Sequence, residues 1–141
     1  MKQSLAAVTA DPGRAAALFY TKLFERLPEV HDLFVTDMTR QGAKLLATLN
    51  AVILQIDNWK AIEAQIEELG LRHVAYGVQP GHYAPTGLAL RAMLAEILGS
   101  AFTDAHDAAW AKAYGAITHA MLTAIERRKS VPDPDPADPA A

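Results

Sequence analysis

His73 is the residue in this chain best placed to do chemistry. It closes an apolar helical pattern within Leu71-Arg72-His73-Val74-Ala75-Tyr76-Gly77-Val78-Gln79-Pro80-Gly81-His82-Tyr83. A glycine and a proline follow it, which are helix stop signals, so the imidazole stands where a pocket can open. A neutral imidazole is a metal ligand and the usual protein ligand of haem iron. His82 lies beside the same loop, but the register favours His73. A lone histidine on a helix is more often structural, so the case depends on the elements around it.

Those elements read as helices throughout. Residues 2–10 form a short first segment. Asp11-Pro12 starts the next, with Asp as N-cap and Pro at the first helical position, and it runs to about Leu27. Ala16, Leu18, Phe19, Leu23 and Phe24 give it an apolar face. Pro28 begins a tight helical turn that ends near Phe34. Asp37 suits the cap of a helix over about 37–56, in which Gln41, Leu45, Leu49 and Ile53 share one face; Leu46, Val52 and Ile56 widen it. A further helix over about 58–74 carries His73 at its end, and a connecting loop covers 75–80. Helices over about 80–98 and 103–128 close the domain. Gly99 suits the end of the first, and Thr103-Asp104 the start of the second. Arg127, Arg128 and Lys129 suit the last helix's negative end. No alternating strand pattern and no internal repeat interrupts this series.

The composition bounds the function. With 141 residues, half of them hydrophobic, the chain makes one domain with a core of its own. The domain reads as residues 1–130. The tail over 131–141 alternates Pro and Asp and is expected to stay extended and disordered. A net charge of -3 and the lack of a basic stripe argue against nucleic-acid binding. The absence of cysteine excludes disulfides, thiol catalysis, iron–sulfur clusters and haem attached through thioethers. Any haem is therefore non-covalent. There is no signal peptide and no membrane-length apolar run, so the expected location is the cytoplasm.

Four stretches together resemble a globin, nearest to bacterial single-domain globins and the globin domain of flavohaemoglobins. They are Leu18-Phe19-Tyr20-Thr21-Lys22-Leu23-Phe24 with Pro28-Glu29-Val30 and Leu33-Phe34; Asp37-Met38 with Gln41 and Lys44-Leu45; Arg72-His73-Val74 through Pro80 to His82-Tyr83; and Ala109-Trp110 with Ala113-Tyr114-Gly115. The resemblance covers roughly residues 4–128. It implies an all-α globin fold, a three-on-three helical sandwich around haem b.

By the same resemblance, His73 is the proximal iron ligand and Phe34 packs against the haem edge. Tyr20 and Gln41 form the distal polar pair. Leu45 lines the distal wall, and Leu69 and Val78 line the proximal side. Tyr83 approaches His73 from the next helix. Lys44 and Arg72 are candidates to meet the haem propionates; Lys44 would ligate iron only if burial deprotonated it. The sequence departs from the flavohaemoglobin pattern at one telling place. That family places a glutamate on the last helix to complete a hydrogen-bonded group with the proximal histidine and tyrosine; here Ile125 stands at that position. Its neighbour Glu126 is turned about 100° around the helix. The first helix and the stretch between Phe34 and Gln41 are also short.

The function implied is reversible binding of O2, NO or CO at haem iron. A Tyr/Gln pair donating to bound O2 favours tight retention, which suits NO dioxygenation with an external reductase. The alternatives are O2 storage or delivery, and gas sensing, each without turnover. A homodimer is left open.

Overall fold

A computed structural model of the chain describes residues 2–33 and 38–130. Phe34, Asp37 and the tail over 131–141 lie outside the described residues. Among the described residues six α-helices carry the fold: α1 (Lys2–Ala10), α2 (Pro12–Arg26), α3 (Met38–Leu54), α4 (Trp59–Ala75), α5 (Tyr83–Leu98) and α6 (Asp104–Ser130). Short 3-10 turns at Pro28–Leu33, Ile56–Asn58, Pro80–His82 and Gly99–Ala101 join them. Every regular element among the described residues is a helix, as the periodicity predicts. The boundaries differ slightly: the helix expected from residue 80 begins as a 3-10 turn and becomes α-helical at Tyr83.

Local chemistry sets several of the ends. Asp11 caps α2, its carboxylate accepting the Arg14 N–H at 3.2 Å, with Pro12 at the first helical position where a missing N–H costs nothing. Thr103 caps α6 reciprocally with His106. The threonine Oγ1 accepts the His106 N–H at 3.3 Å, and the imidazole Nδ1 accepts the Thr103 N–H at 3.2 Å. A histidine here does the work a glutamate does in the usual capping box.

The packing follows the apolar faces. On α2, Ala15, Ala16, Phe19, Tyr20 and Leu23 are buried at helical spacing. That face meets α3 on one side and α5 on the other, while α4 packs chiefly on α6. Ile62, Ile66 and Gly70, each one turn apart, form the buried stripe of α4. Ile53 on α3 and Trp110 on α6 are wholly enclosed; burying a side chain of the size of isoleucine contributes about 1.5–3 kcal/mol.

The buried side chains fall into two clusters rather than one. The larger joins α1, α2, α3 and α5 with Trp110, and holds Tyr20, Leu46 and Ile53. The smaller joins α4 and α6 to the start of α5, and holds Ile62, Ile66, Tyr83 and Met121. A domain of this size ordinarily shows one contiguous core. Tyr20 and Leu45, expected on the distal side, belong with the first cluster, and Leu69, Val78 and Tyr83, expected on the proximal side, with the second.

Candidate functional site

His73 lies in the last turn of α4, half-buried, with its ring orientation fixed by the backbone. Its Nδ1 lies 2.7 Å from the Leu69 carbonyl oxygen, one turn back. A carbonyl only accepts, so Nδ1 carries the proton and Nε2 keeps its lone pair. Burial pushes the imidazole below its ordinary pKa; the Leu69 hydrogen bond opposes this and the Arg72 charge adds to it. The ring is thereby a neutral imidazole of defined tautomer, with the kind of outer hydrogen bond that metal-bound histidines use.

The helix end is built to hold that ring. Gly77 N–H donates to the Val74 carbonyl and Val78 N–H to the His73 carbonyl, both at 3.0 Å. This is a Schellman motif, and its turn residue Gly77 takes φ +92°, a conformation that side-chain-bearing residues rarely adopt. The motif folds Val78 back onto the smaller cluster, against which Leu69 also packs. The glycine that marks the helix end in the sequence therefore also places Val78, one of the two residues expected to line the proximal side.

Tyr83 opens α5 and is buried. Its ring centroid lies 6.5 Å from that of His73, with the planes inclined by 28°. Burial raises its pKa, and its Oη is enclosed with no hydrogen-bond partner among the described residues. The departure at the last helix has the expected form. Ile125 is buried, whereas Glu126 is exposed, with its carboxylate 3.5 Å from Lys129 Nζ.

On the opposite side, Tyr20 is 7% exposed and packs edge-on to Phe19 and stacked with Phe24. Burial pushes its phenol up to about 12, so it stays protonated at any physiological pH. The approach of α3 to this tyrosine is close because residue 42 is glycine. A Cβ there would stand 2.6 Å from Ala16 Cβ and 3.6 Å from Tyr20 Cε2. Gln41, half-buried, immediately precedes this contact, and Leu45 one turn on packs against the Tyr20 cluster. Lys44 and Arg72 are exposed. An exposed Lys44 lacks the burial that iron ligation would require.

Two features of the site had no functional reading in the sequence. Tyr114 donates its hydroxyl to the Tyr83 carbonyl at 2.6 Å and ties α6 to the start of α5. The partner is a backbone atom, and no sequence pattern reveals it. Gly42 was the other. A glycine inside a helical pattern costs about 1 kcal/mol relative to alanine and so points to a packing reason, which is the available signal.

The donor set fits haem. Among the described residues no group of three or more His, Asp or Glu side chains could hold a metal ion. A lone histidine ligand therefore suits a metal that arrives with ligands of its own. The neutral Nε2 of His73, the division of the core between its two sides and the enclosed, unpartnered Tyr83 Oη agree with such a group.

Comparisons with known proteins bear on the same residues. A family model described as Globin matches residues 17–121. The flavohemoproteins of Bordetella pertussis and Rhizobium meliloti are 34% and 33% identical over 107 and 100 residues, covering 74% and 69% of this chain but 27% and 25% of theirs. The chain thus spans about a quarter of the length of these curated relatives. Among solved structures, the engineered carbene transferase RmaNOD, from a candidate nitric oxide dioxygenase of Rhodothermus marinus, superposes with a TM-score of 0.79 at 32% identity, over 92% of this chain and 90% of that one. Ferric Aplysia limacina myoglobin shares the fold, with a TM-score of 0.72 at 22% identity, over 86% and 90%.

Proposed function

This chain belongs to the globin family, and on that premise we propose that it binds haem b non-covalently through His73, retains O2 tightly and supports NO dioxygenation with electrons from an external reductase. The observation that carries the reading is Tyr20: a buried phenol held protonated, beside the close α2–α3 contact at Gly42, the residue after Gln41. The family resemblance makes these two the distal donors.

Haem, when bound, supplies iron with an open position for a diatomic ligand and a site for one-electron chemistry. The residues of the chain supply the rest. His73 offers Nε2 to the metal while the Leu69 carbonyl holds Nδ1–H. Tyr20 and Gln41 donate hydrogen bonds toward the distal space, where a ligand carrying partial negative charge gains more than a less polar one such as CO. Leu45, Leu69 and Val78 supply apolar walls that exclude water. Phe34, outside the described residues, would by the family resemblance meet the haem edge. Lys44 and Arg72, exposed and basic, would be the residues to meet the propionates. Tyr83 lies against His73 without a carboxylate to draw its proton. The proximal ring therefore stays an imidazole, which suits ligand retention over peroxidase-like chemistry.

The net reaction combines O2, NO and one electron to give nitrate, so a reductant is required at every turnover. The relatives named flavohemoprotein and the Rhodothermus marinus protein support this reading. A cytoplasmic setting and the gases O2, NO and CO as ligands complete it. The test is to mix the oxygenated protein with NO and measure nitrate. Stoichiometric nitrate with conversion to the ferric spectrum is expected. A normal haem spectrum without nitrate would leave storage, delivery or sensing. A chain that takes up no haem would remove the reading altogether.

A further inference from the structure

Gly70 lies on α4, three residues before His73, and is buried against α6. A Cβ at this position would stand 2.8 Å from both Met121 Cα and Met121 Cβ, and 2.9 Å from the Met121 carbonyl oxygen. Real Cβ atoms essentially never approach so closely, so α4 rests on the bare backbone of α6 at this point. The other tight glycines differ in what obstructs them. At Gly42 the nearest atom is the Ala16 methyl, and at Gly87 it is the Tyr114 ring at 2.5 Å. A side chain can yield or be trimmed; a helix backbone cannot move without its helix.

The same contact involves the peptide unit that orients the histidine. The carbonyl that accepts from His73 Nδ1 belongs to Leu69, and it shares one planar amide with the nitrogen of Gly70. The group pressed on Met121 and the group holding the imidazole are thus neighbours across a rigid peptide. Two helix turns of freedom do not separate them. On the far side, Tyr83 packs into the same cluster as Met121 and lies beside the His73 ring.

We infer that Gly70 is a positioning residue for His73: its missing side chain lets α4 settle on the Met121 backbone, and this contact sets the height and hydrogen bond of the proximal imidazole. The inference rests on the reading of His73 as the iron ligand. Any bulk added at this contact forces one of two responses. Either the 68–71 turn bends outward and the 2.7 Å bond to the Leu69 carbonyl lengthens, or α4 moves bodily and carries His73 with it. Both weaken the hold of the imidazole on its metal, the first by reducing ligand basicity.

The test uses the full chain loaded with haem, reduced, and read by the iron–histidine stretching band in resonance Raman spectra. Gly70→Ala is expected to lower or broaden this band. Gly42→Ala, crowded by the Ala16 methyl on a different helix, is expected to leave it in place, which separates positioning from general destabilisation. Met121→Ile places a branched carbon against Gly70 at nearly constant volume. It should give a smaller shift in the same direction, and it decides the matter if Gly70→Ala does not fold. A wild-type band in the haem-loaded Gly70→Ala and Met121→Ile proteins overturns the inference alone. A wild-type chain that takes up no haem overturns both the inference and the reading beneath it.

Discussion

His73 and Leu69 are joined by a 2.7 Å hydrogen bond from the imidazole Nδ1 to the backbone carbonyl one turn earlier. The bond fixes the tautomer without using any second side chain, so the imidazole is oriented by its own helix. Replacing His73 by Gly should abolish the haem band that shifts on reduction and CO addition, and free imidazole added to that variant should restore it. Absorption spectra of ferric, reduced and CO-treated protein check this. A His73→Gly variant with the wild-type spectra would assign the ligand elsewhere.

Burial lowers the pKa of His73, and the sign of its effect on stability follows. The unfolded chain titrates this histidine near about 6.5, and the folded chain at lower pH. Between the two values the unfolded state binds more protons, so the contribution is complete above the unfolded pKa and is lost as pH falls through the folded one. Urea midpoints of the haem-free chain, measured from neutral pH downward, should fall faster for the wild type than for His73→Gln. Parallel curves would show that the histidine titrates alike in both states.

Tyr20→Phe removes one distal donor and keeps the ring that packs on Phe19 and Phe24. A hydrogen bond to a charged acceptor contributes about 1.5–3 kcal/mol, and about 1.4 kcal/mol is a factor of ten. O2 dissociation should therefore accelerate about ten-fold or more, while CO dissociation changes far less. Stopped-flow off-rates for both gases decide it; equal O2 off-rates in variant and wild type would take Tyr20 out of the ligand site.

At the α2–α3 crossing, Gly42→Ala sets a methyl 2.6 Å from Ala16 Cβ. Overpacking of this kind costs about 1–3 kcal/mol, against about 1 kcal/mol gained in helix propensity. Net destabilisation is expected, and Ala16→Gly in the same chain should recover much of it. The double-mutant cycle by urea denaturation reads the coupling directly; additive effects would mean that the two residues do not share this contact.

Tyr114→Phe removes the 2.6 Å bond to the Tyr83 carbonyl. That carbonyl belongs to the first turn of α5, and the expected loss is about 0.5–1.5 kcal/mol. Because Tyr83 lies beside His73, the CO-bound spectrum should also respond. An unchanged melting curve would show that the hydroxyl is equally well served by solvent.

Much of this was legible in the chain, for identifiable reasons. Helix positions followed from apolar spacing, and their ends from Asp11-Pro12, Gly77 and Thr103, because caps and turns are short-range chemistry. His73 stood out in the chain because a helix-ending His followed by Gly and Pro has few other uses in such company. The carbonyl of Leu69, the hydroxyl contact of Tyr114 and the crossings at Gly42 and Gly70 were not. Each depends on which helix lies against which, and on backbone atoms that every residue possesses. The expected capping of α3 by Asp37 and the packing of Phe34 fall outside the described residues.

The division of the core has a consequence for how the molecule opens. The larger cluster draws on four helices and Trp110; the smaller depends on α4, α6 and the first residue of α5. Cooperative units with fewer enclosed apolar groups open at lower free energy. Amide protons of α4 should thus exchange before those of α2, and the histidine arm should swing loose while the rest of the protein is still folded. A prosthetic group that bridges both clusters would act as a latch, making the lifetime of the arm in its closed position a measure of how much of that group is available.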